Sequence, residues 1–201
     1  MIGFSEVNLI NFLNTLKEEE IKNILLDFKS PLNKDIEGFL HNKAIEFCKQ
    51  GIAHTHLIFA SYKGNLVLVA YYTLSNKYVT INKKNVSNTL WKKLSKFGQY
   101  NPDTKQLYIS MPLIAQIGKN YNNKYNKLIT GDELLKRACD NIRKIQNIVG
   151  GKHVYLECED KVKLIEFYET NGFVSFGSRP LDKDETDSLD GTYLVQLLKK
   201  L

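Results

Sequence analysis

The apolar residues of this chain recur at helical spacing in some segments and at strand spacing in others, and the order of these segments limits the fold. Residues 36–47 show helical spacing. Residues 55–60 and 66–74 are rich in β-branched, leucine and aromatic residues, and turn residues at 63–65 separate them. The first half of the chain therefore predicts a helix followed by an antiparallel hairpin.

In the second half of the chain, predicted strands and helices again follow one another. Residues 107–117 predict a strand, with Pro112 marking an edge or a bulge. A helix follows Thr130, and its inward stripe is Leu134, Leu135, Ala138, Ile142 and Ile145, with Gly150 and Gly151 at its end. A strand, a helix and two strands are then predicted at 153–158, 162–170, 173–176 and 193–198. This order indicates a mixed α/β sheet packed by helices.

The chain of 201 residues has no internal repeat and no Pro-rich or Gly/Ser-rich linker, which predicts one domain over 1–201. Residues 1–30 are predicted to be an N-terminal extension, and this is the part whose elements the sequence defines least. In it, an apolar run at 7–13 and a Glu/Lys-rich segment at 16–28 predict a short strand or turn and then a helix.

Three cysteines without a C-x-x-C pair indicate reduced thiols in a cytoplasmic protein. No run of about 18 apolar residues is present, and the N-terminus lacks a signal-peptide pattern. The net charge is +6, which suits an anionic partner and equally serves solubility. The most biased stretch, KNYNNKYNK at 119–127, predicts a mobile polar loop.

The best local signal is the start of the helix near residue 131. Thr130 and Glu133 have the spacing of a capping box, in which each side chain bonds the backbone N–H of the other residue. Gly131 follows the cap, and a helix N-terminus with free N–H groups and partial positive charge can bind a phosphate. The alternative is a purely structural helix whose dipole Asp132 and Glu133 already balance.

Other motifs give weaker indications. His54 and His56 share a face of a predicted strand but lack a third ligand, which disfavours zinc. Residues 167–173 predict a helix end, a left-handed cap at Gly172 and an aromatic strand start, and by themselves they favour an aromatic core that includes Tyr168. There is no P-loop, dinucleotide fingerprint or nucleophile elbow, so nucleotide hydrolysis, dinucleotide binding and covalent hydrolysis lack support.

Taken together, these segments resemble the GNAT superfamily of acyl-CoA N-acyltransferases. The resemblance is carried by the strand at 113–118, the helix opening at Gly131 with Leu134-Leu135, the strand at 154–158, and Phe167-Tyr168-x-x-x-Gly172-Phe173. Upstream, Ala70-Tyr71-Tyr72-Thr73-Leu74-Ser75 resembles the branch that includes tRNA-acetylating toxins. The likeness extends from about Asn33 to the end of the chain. It implies an α+β fold with a mixed, largely antiparallel central sheet flanked by helices.

The resemblance implies that acetyl-CoA is the cosubstrate. Its pantetheine arm would follow the strand at Ile117, Gly118 and Lys119. Its pyrophosphate would lie at Lys127, Leu128, Ile129, Thr130, Gly131, Asp132 and Glu133.

The sequence departs from the family pattern in the pyrophosphate loop. That loop is usually Gln or Arg, two residues, Gly, one residue, then Gly or Ala. Here Asn126 takes the first position and Ile129 replaces the first glycine, while Gly131 is retained. Lys127 is available as a substitute cation.

In the chemistry that the resemblance implies, an amine attacks the thioester carbonyl and coenzyme A leaves as a thiolate. Tyr168 matches the general acid of the family. Proton transfer from a tyrosine near pKa ~10 to a thiolate near ~8.5 is uphill by about 2 kcal/mol, so we expect Tyr168 to act mainly through a hydrogen bond. Glu157 is the candidate for a general base, and the alternative is that Glu157 is a solvated surface carboxylate with no role in the chemistry. Without a strong base, an α-amine near pKa ~7.8 is an easier acceptor than a lysine near ~10.4.

The sequence therefore predicts an N-acetyltransferase acting on a primary amine. The candidate acceptors are the α-amine of an aminoacyl-tRNA, as in a toxin, and a protein N-terminus. The alternative, from another class, is a non-catalytic GNAT-shaped module with a degenerate CoA loop that binds nucleic acid. A homodimer is one option for the assembly, and neither a membrane nor a metal is expected.

Overall fold

The computed structural model describes residues 3–183, 185–186, 189 and 191–201. These residues form eight strands: β1 (Phe4–Asn8), β2 (His54–Tyr62), β3 (Asn65–Asn82), β4 (Gln99–Asn101), β5 (Gln106–Lys119), β6 (His153–Glu159), β7 (Val174–Pro180) and β8 (Tyr193–Lys200). The same residues form seven α-helices: α1 (Leu9–Leu13), α2 (Glu18–Leu26), α3 (Lys34–Asn42), α4 (Ala44–Lys49), α5 (Asn88–Leu94), α6 (Gly131–Val149) and α7 (Val162–Thr170). Short 3₁₀ helices lie at Lys83–Asn85 and Asn122–Lys127.

The strands belong to one sheet in the order β1-β2-β3-β5-β6-β8-β7, with β4 paired to β5. The pairs β1–β2, β2–β3, β4–β5, β6–β8 and β7–β8 are antiparallel. Helices flank this sheet, so the predicted α/β class with a largely antiparallel sheet is confirmed. Pro112 does not mark a sheet edge, because β5 lies between β3 and β6.

The chain divides into two compact units, each with its own hydrophobic core. The first unit contains the chain up to Ser75 together with Ile114–Ala138. The second contains Asn76–Leu113, Cys139–Thr186 and residues 191–201. None of the described helices is long and apolar enough to cross a membrane.

In the first unit, α1–α4 supply most of the core that covers one face of β2 and β3. The helix predicted over 36–47 is in fact two helices, α3 and α4, which meet at Lys43. The break allows both halves to bury apolar side chains, namely Phe39, Leu40, Ala44, Ile45 and Cys48. Leu9, Ile21 and Leu25 of the N-terminal segment are buried in the same core.

β2 and β3 form the predicted hairpin. The chain turns at Lys63 and Gly64, whose φ angles are 51° and 81°. Two-residue turns with positive φ at both positions match the right-handed twist of the strands that they join. Thr55 faces Thr73 across the pair, and their buried hydroxyls are 2.9 Å apart.

Asn120 fixes the segment between β5 and α6. Its side chain is fully buried and accepts a 2.9 Å hydrogen bond from the Lys29 N–H. Its amide donates to the Leu68 carbonyl over 2.8 Å, and its backbone N–H donates to the Val69 carbonyl over 2.8 Å. The segment predicted as a mobile polar loop, 119–127, is therefore anchored at its start, and Asn122–Lys127 form 3₁₀ turns with a kink at Asn123 and Lys124, whose φ angles are 48° and 62°. Its mobility remains a prediction.

The second unit packs α5 and parts of β3, β5, β6, β7 and β8 around one core. Sequence analysis predicts no regular structure between β3 and β5, yet Leu94 of α5 is fully buried there. Gly98 permits this packing, because a Cβ at that position would lie 2.6 Å from the backbone oxygen of Tyr108.

α6 ends as predicted at Gly150 and Gly151, which have φ angles of 88° and 94°. Most of its predicted stripe is buried, but Ile145 is 41% exposed. The prediction for Ile145 was wrong because the last turn of α6 is exposed, as Ile148 and Val149 also show.

Candidate active site

The first unit carries the helix start that the sequence identifies. Thr130 caps α6, since its Oγ1 accepts a 3.1 Å hydrogen bond from the Glu133 N–H and its carbonyl accepts one from Leu134. The N–H of Gly131, the first helical residue, has no partner among the described residues. An unpaired amide at a helix N-terminus can bind an anionic oxygen.

The reciprocal half of the capping box is not formed. The Glu133 carboxylate instead pairs with Arg137 one turn further along, with Oε1 and Nη2 2.7 Å apart. Asp132 is exposed. Thr130 therefore caps the helix, whereas Glu133 pairs along its side and leaves the Gly131 N–H without a partner among the described residues.

The three residues before the cap have different environments. Lys127 is exposed, and Leu128 is half-buried with its N–H bonded to the Tyr125 carbonyl over 2.9 Å. Ile129, which replaces the first family glycine, is only 3% exposed. Because its side chain is buried in the first unit, Ile129 does not block the solvent side of the helix start.

The end of β5 carries Ile117, Gly118 and Lys119, all half-buried. A Cβ on Gly118 would lie 2.6 Å from Cγ2 of Ile36 and 3.4 Å from the ring of Phe28. Close packing therefore already requires a glycine here. The predicted contact with a pantetheine arm remains a prediction.

A polar cluster that sequence analysis did not identify surrounds Glu6 in the first unit. Glu6 accepts a 2.6 Å hydrogen bond from the Tyr72 hydroxyl and lies 3.3 Å from Nδ1 of His56 and 3.8 Å from Arg137. His56 stacks on Tyr72, and the Arg137 guanidinium lies 5.0 Å from the centre of the Phe4 ring. From local sequence, only the Glu133–Arg137 ion pair could have been predicted, because these two residues are four positions apart on α6. The other partners come from distant segments.

The two histidines on β2 have separate partners. His54 lies 3.6 Å from the sulfur of Cys48, whereas His56 pairs with Glu6. Among the described residues there is no group of three or more His, Cys, Asp or Glu that could hold a metal ion.

Tyr168 lies on α7 in the second unit. It is 5% exposed and contacts the rings of Phe167 and Phe173, with centroids 5.2 and 5.8 Å away. Gly172, with φ of 83°, ends the helix as predicted. The Tyr168 hydroxyl forms no hydrogen bond with any residue that the structure describes, so it can still pair with a ligand atom. Burial, and secondarily the charge of Cys158, raise the pKa of Tyr168, which keeps it protonated at neutral pH.

Glu157, on β6 of the second unit, is neither solvated nor suited to act as a base. Its side chain is 10% exposed and accepts hydrogen bonds from Arg179, Lys77 and the Tyr155 hydroxyl. Burial alone would raise its pKa, but the bonds from Arg179 and Tyr155 and the charge of Lys77 outweigh burial and lower the pKa to about 2. A carboxylate stabilised to this extent is a poor proton acceptor at neutral pH.

A cavity of about 320 Å³ lies next to this network, within the second unit. Its lining includes Lys77, Tyr78, Asn82, Tyr155, Phe176 and Gln196. Arg179 also lines the cavity, but its remaining N–H groups bond to Glu185, to Asp182 and to the Pro180 carbonyl. The cations of this cavity are thus already paired with protein carboxylates.

Comparison with known proteins relates the fold to acetyltransferases. No family model matches the chain, and no curated protein matches its sequence. Among solved structures, AtaT complexed with acetyl-methionyl-tRNAfMet has a TM-score of 0.62 and 14% identity, covering 96% of this chain and 94% of AtaT. A tyrosine-to-phenylalanine mutant of KacT has a TM-score of 0.61 and 13% identity, covering 96% of this chain and 93% of KacT.

A third similar structure is the IAA acetyltransferase from Bacillus cereus, with a TM-score of 0.50, 12% identity and complete coverage of both chains. The chain therefore has a GNAT-like fold, and the resemblance inferred from its sequence is confirmed at the level of the fold. At these identities the likeness concerns the fold alone.

Proposed function

We propose that this protein is an acyltransferase that transfers the acetyl group of acetyl-CoA to a primary amine. The observation that carries the proposal is the unpaired N–H of Gly131 at the capped start of α6. In the GNAT resemblance, this is the helix start expected to bind the CoA pyrophosphate. AtaTR bound with acetyl-CoA is among the similar structures, with a TM-score of 0.54.

The residues around Gly131 fit a diphosphate. Thr130 supplies the cap without occupying the first amide, and Lys127 is exposed just before it. Ile129 is buried, so its replacement of a glycine adds no side chain to the solvent side of the helix start. A diphosphate oxygen can therefore accept from Gly131 while Lys127 balances its charge.

Under this proposal acetyl-CoA supplies the thioester, and Tyr168 stabilises the thiolate that leaves. The raised pKa of Tyr168 makes full proton transfer to a thiolate even less favourable than for an ordinary tyrosine. Tyr168 therefore acts by donating a hydrogen bond from its otherwise unpaired hydroxyl. This contribution is worth about 100-fold or more in rate.

The acceptor that we favour is an α-amine, such as that of an aminoacyl-tRNA. Glu157 has a pKa near 2 and cannot deprotonate an ammonium at neutral pH. An acceptor that is already partly neutral reacts without such help, and α-amines near pKa ~7.8 meet this condition far better than lysines. The AtaT structure contains acetyl-methionyl-tRNAfMet, which is consistent with this acceptor class.

The alternative is a non-catalytic GNAT-shaped module. Its best support is the replacement of two family positions by Asn126 and Ile129. The burial of Ile129 weakens this alternative, because a buried side chain leaves the helix start accessible.

The test measures the contribution of the Gly131 N–H to acetyl-CoA binding separately from that of the rest of the loop. Proline is tolerated at the first helical position, so Gly131→Pro removes this N–H while preserving the helix, and Gly131→Ala retains it. Acetyl-CoA should raise the melting temperature of the wild type. Gly131→Pro should weaken acetyl-CoA binding by about 10-fold or more, the effect of one charge-assisted hydrogen bond, and Gly131→Ala should weaken it less.

An unchanged melting temperature of the wild type at millimolar acetyl-CoA would refute the proposal. A toxin role has its own test, because expression in a bacterial host should arrest growth. Tyr168→Phe should then restore growth at an equal level of folded protein. Normal growth with the wild type would remove the toxin role and leave the acetyltransferase proposal in place.

A further inference from the structure

The net positive charge of this protein is concentrated in one segment of the second unit. Residues 83–105, called here the lysine segment, contain six lysines and a single acidic residue, Asp103. The segment therefore carries a net charge of +5, against +6 for the whole chain. The six lysines are Lys83, Lys84, Lys92, Lys93, Lys96 and Lys105.

All six lysines are exposed, and none forms an ion pair with a residue that the structure describes. Several lysines elsewhere behave differently. Lys22 and Lys49 pair with Glu18, and Lys77 pairs with Glu157. The charge of the lysine segment is thus not balanced within the described fold.

The segment is held on a folded support. Leu94 of α5 is fully buried, and Val86, Leu90 and Trp91 pack against the same core. Ser87 caps α5, and β4 pairs with β5. The lysines consequently project from a fixed surface, which lowers the entropic cost of binding a partner.

Exposed aromatic rings lie among these lysines. Tyr100 is 47% exposed and lies edge-on to Trp91, and Phe97 is 41% exposed and lies edge-on to His153. No aliphatic residue of the segment is among the exposed large hydrophobic residues of the described chain. This combination provides phosphate-binding charge together with ring faces on which bases can stack.

The positive surface extends beyond the segment. Burial, then the charges of Lys200 and Lys93, lower the pKa of His153, so Lys93 of α5 and Lys200 of β8 both lie near this imidazole. Lys152 precedes His153, and its carbonyl accepts from the Leu201 N–H. Lys93 and Lys200 thus place two cations near His153, against which the exposed ring of Phe97 packs.

We propose that the lysine segment is an RNA-binding surface, with its lysines on the sugar-phosphate backbone and Tyr100 or Phe97 stacked on unpaired bases. The choice of tRNA as the RNA rests on the proposed function, whereas the surface itself does not. An anionic membrane fits less well, because interfacial segments expose aliphatic residues. An acidic protein also fits less well, because protein interfaces favour arginine over lysine and this segment contains no arginine.

The test compares two variants with the same net charge. Lys92→Gln/Lys93→Gln/Lys96→Gln changes the surface, and Lys22→Gln/Lys34→Gln/Lys49→Gln removes three charges from the first unit. Binding of fluorescently labelled, deacylated tRNA is measured by polarisation over a range of salt concentrations, without acetyl-CoA. The first variant should lose about 10- to 100-fold in affinity at low salt. The slope of the logarithm of its affinity against the logarithm of the salt concentration should be smaller than that of the wild type by about two to three. The control should retain most of the affinity.

A third variant, Tyr100→Leu, separates stacking from charge. It should weaken binding by about 5- to 100-fold while leaving the salt dependence unchanged. Equal losses in the two lysine variants, no tRNA binding by the wild type, or tighter binding of poly-glutamate than of tRNA would each overturn the proposal. Because acetyl-CoA is absent, a failure here is distinct from a failure of the acetyltransferase proposal. Circular dichroism confirms that each variant is folded.

Discussion

The guanidinium of Arg179 and the carboxylate of Glu157 form two parallel hydrogen bonds, Nε to Oε1 and Nη2 to Oε2, each 2.8 Å long. This pair joins β7 to β6 across β8, which lies between them in the sheet. Arg179 also binds Glu185, so it connects the sheet with the segment after β7. A bidentate pair fixes orientation as well as charge, and this one forms part of the wall of the cavity in the second unit.

Acid should destabilise the protein through Glu157. Its pKa is about 2 in the folded state against 4.5 ordinarily, so its contribution is fully present above pH 4.5 and is lost as the pH falls towards 2. By linkage this contribution is on the order of 3 kcal/mol. Urea unfolding between pH 7 and pH 2.5 should show a decline in this window for the wild type.

Glu157→Gln tests the same interaction. It leaves Lys77 and Arg179 with fewer carboxylate partners and should reduce the free energy of unfolding at pH 7 by roughly 3 kcal/mol. The acid-induced decline should be correspondingly smaller in this variant. Glu166→Gln, an exposed change on α7, should leave both measurements near the wild type. A Glu157→Gln variant as stable as the wild type would show that the network contributes no net stability.

Asn120→Ala should destabilise the segment that leads to α6. Asn120 is fully buried, and its side chain bonds to the backbone of Lys29, Leu68 and Asp27. Removing it leaves buried backbone groups unpaired, each at a cost of about 1–3 kcal/mol. We expect a loss of roughly 2–4 kcal/mol in the free energy of unfolding, whereas Asn126→Ala should cost under about 1 kcal/mol. Similar losses in the two variants would contradict the anchoring role of Asn120.

The sequence predicts elements best where one short signal determines them. Lys63 and Gly64 mark the hairpin turn, Thr130 caps α6, and Gly150 ends it, because each depends on local backbone conformation. The break at Lys43 was missed, since helical spacing continues through it and tertiary packing decides where the chain bends.

The environment of the site residues depended on partners that the predicted motifs do not include. Glu133 was expected to complete a capping box, but Arg137 competes for its carboxylate. Glu157 was a candidate general base with a solvated carboxylate as the alternative, whereas Lys77 and Arg179, 80 positions before it and 22 after it, pair with its charge. Asn120 was treated as part of a loose loop because none of its partners near residues 27–29 and 68–69 is close in sequence.

Tyr168→Phe should preserve acetyl-CoA binding and reduce the rate of acetyl transfer by about 100-fold or more. The ring still packs against Phe167 and Phe173, and only the unpaired hydroxyl is lost. Calorimetric titration with acetyl-CoA measures binding, and release of free CoA thiol measures turnover. Tyr193→Phe, which removes an exposed hydroxyl that bonds Asp160, is the matched control. Full activity of Tyr168→Phe would remove Tyr168 from the chemistry.

The pH dependence of acetyl transfer should follow the acceptor rather than the protein. Glu157 stays ionised above about pH 4, and the raised pKa of Tyr168 keeps it protonated through pH 9. Neither group therefore titrates between pH 5 and 9. With a small α-amine acceptor, the logarithm of kcat/KM should rise with a slope of one and level off near the pKa of the amine, about 7.8.

Two acceptors with different amine pKa values provide the decisive comparison. The pH at which kcat/KM levels off should move with the acceptor by the difference between the two amine pKa values. Glu157→Gln should leave the shape of both profiles unchanged if the variant is folded. An inflection near pH 6–7 that is the same for both acceptors would reveal a protein base and contradict the argument for an unassisted α-amine.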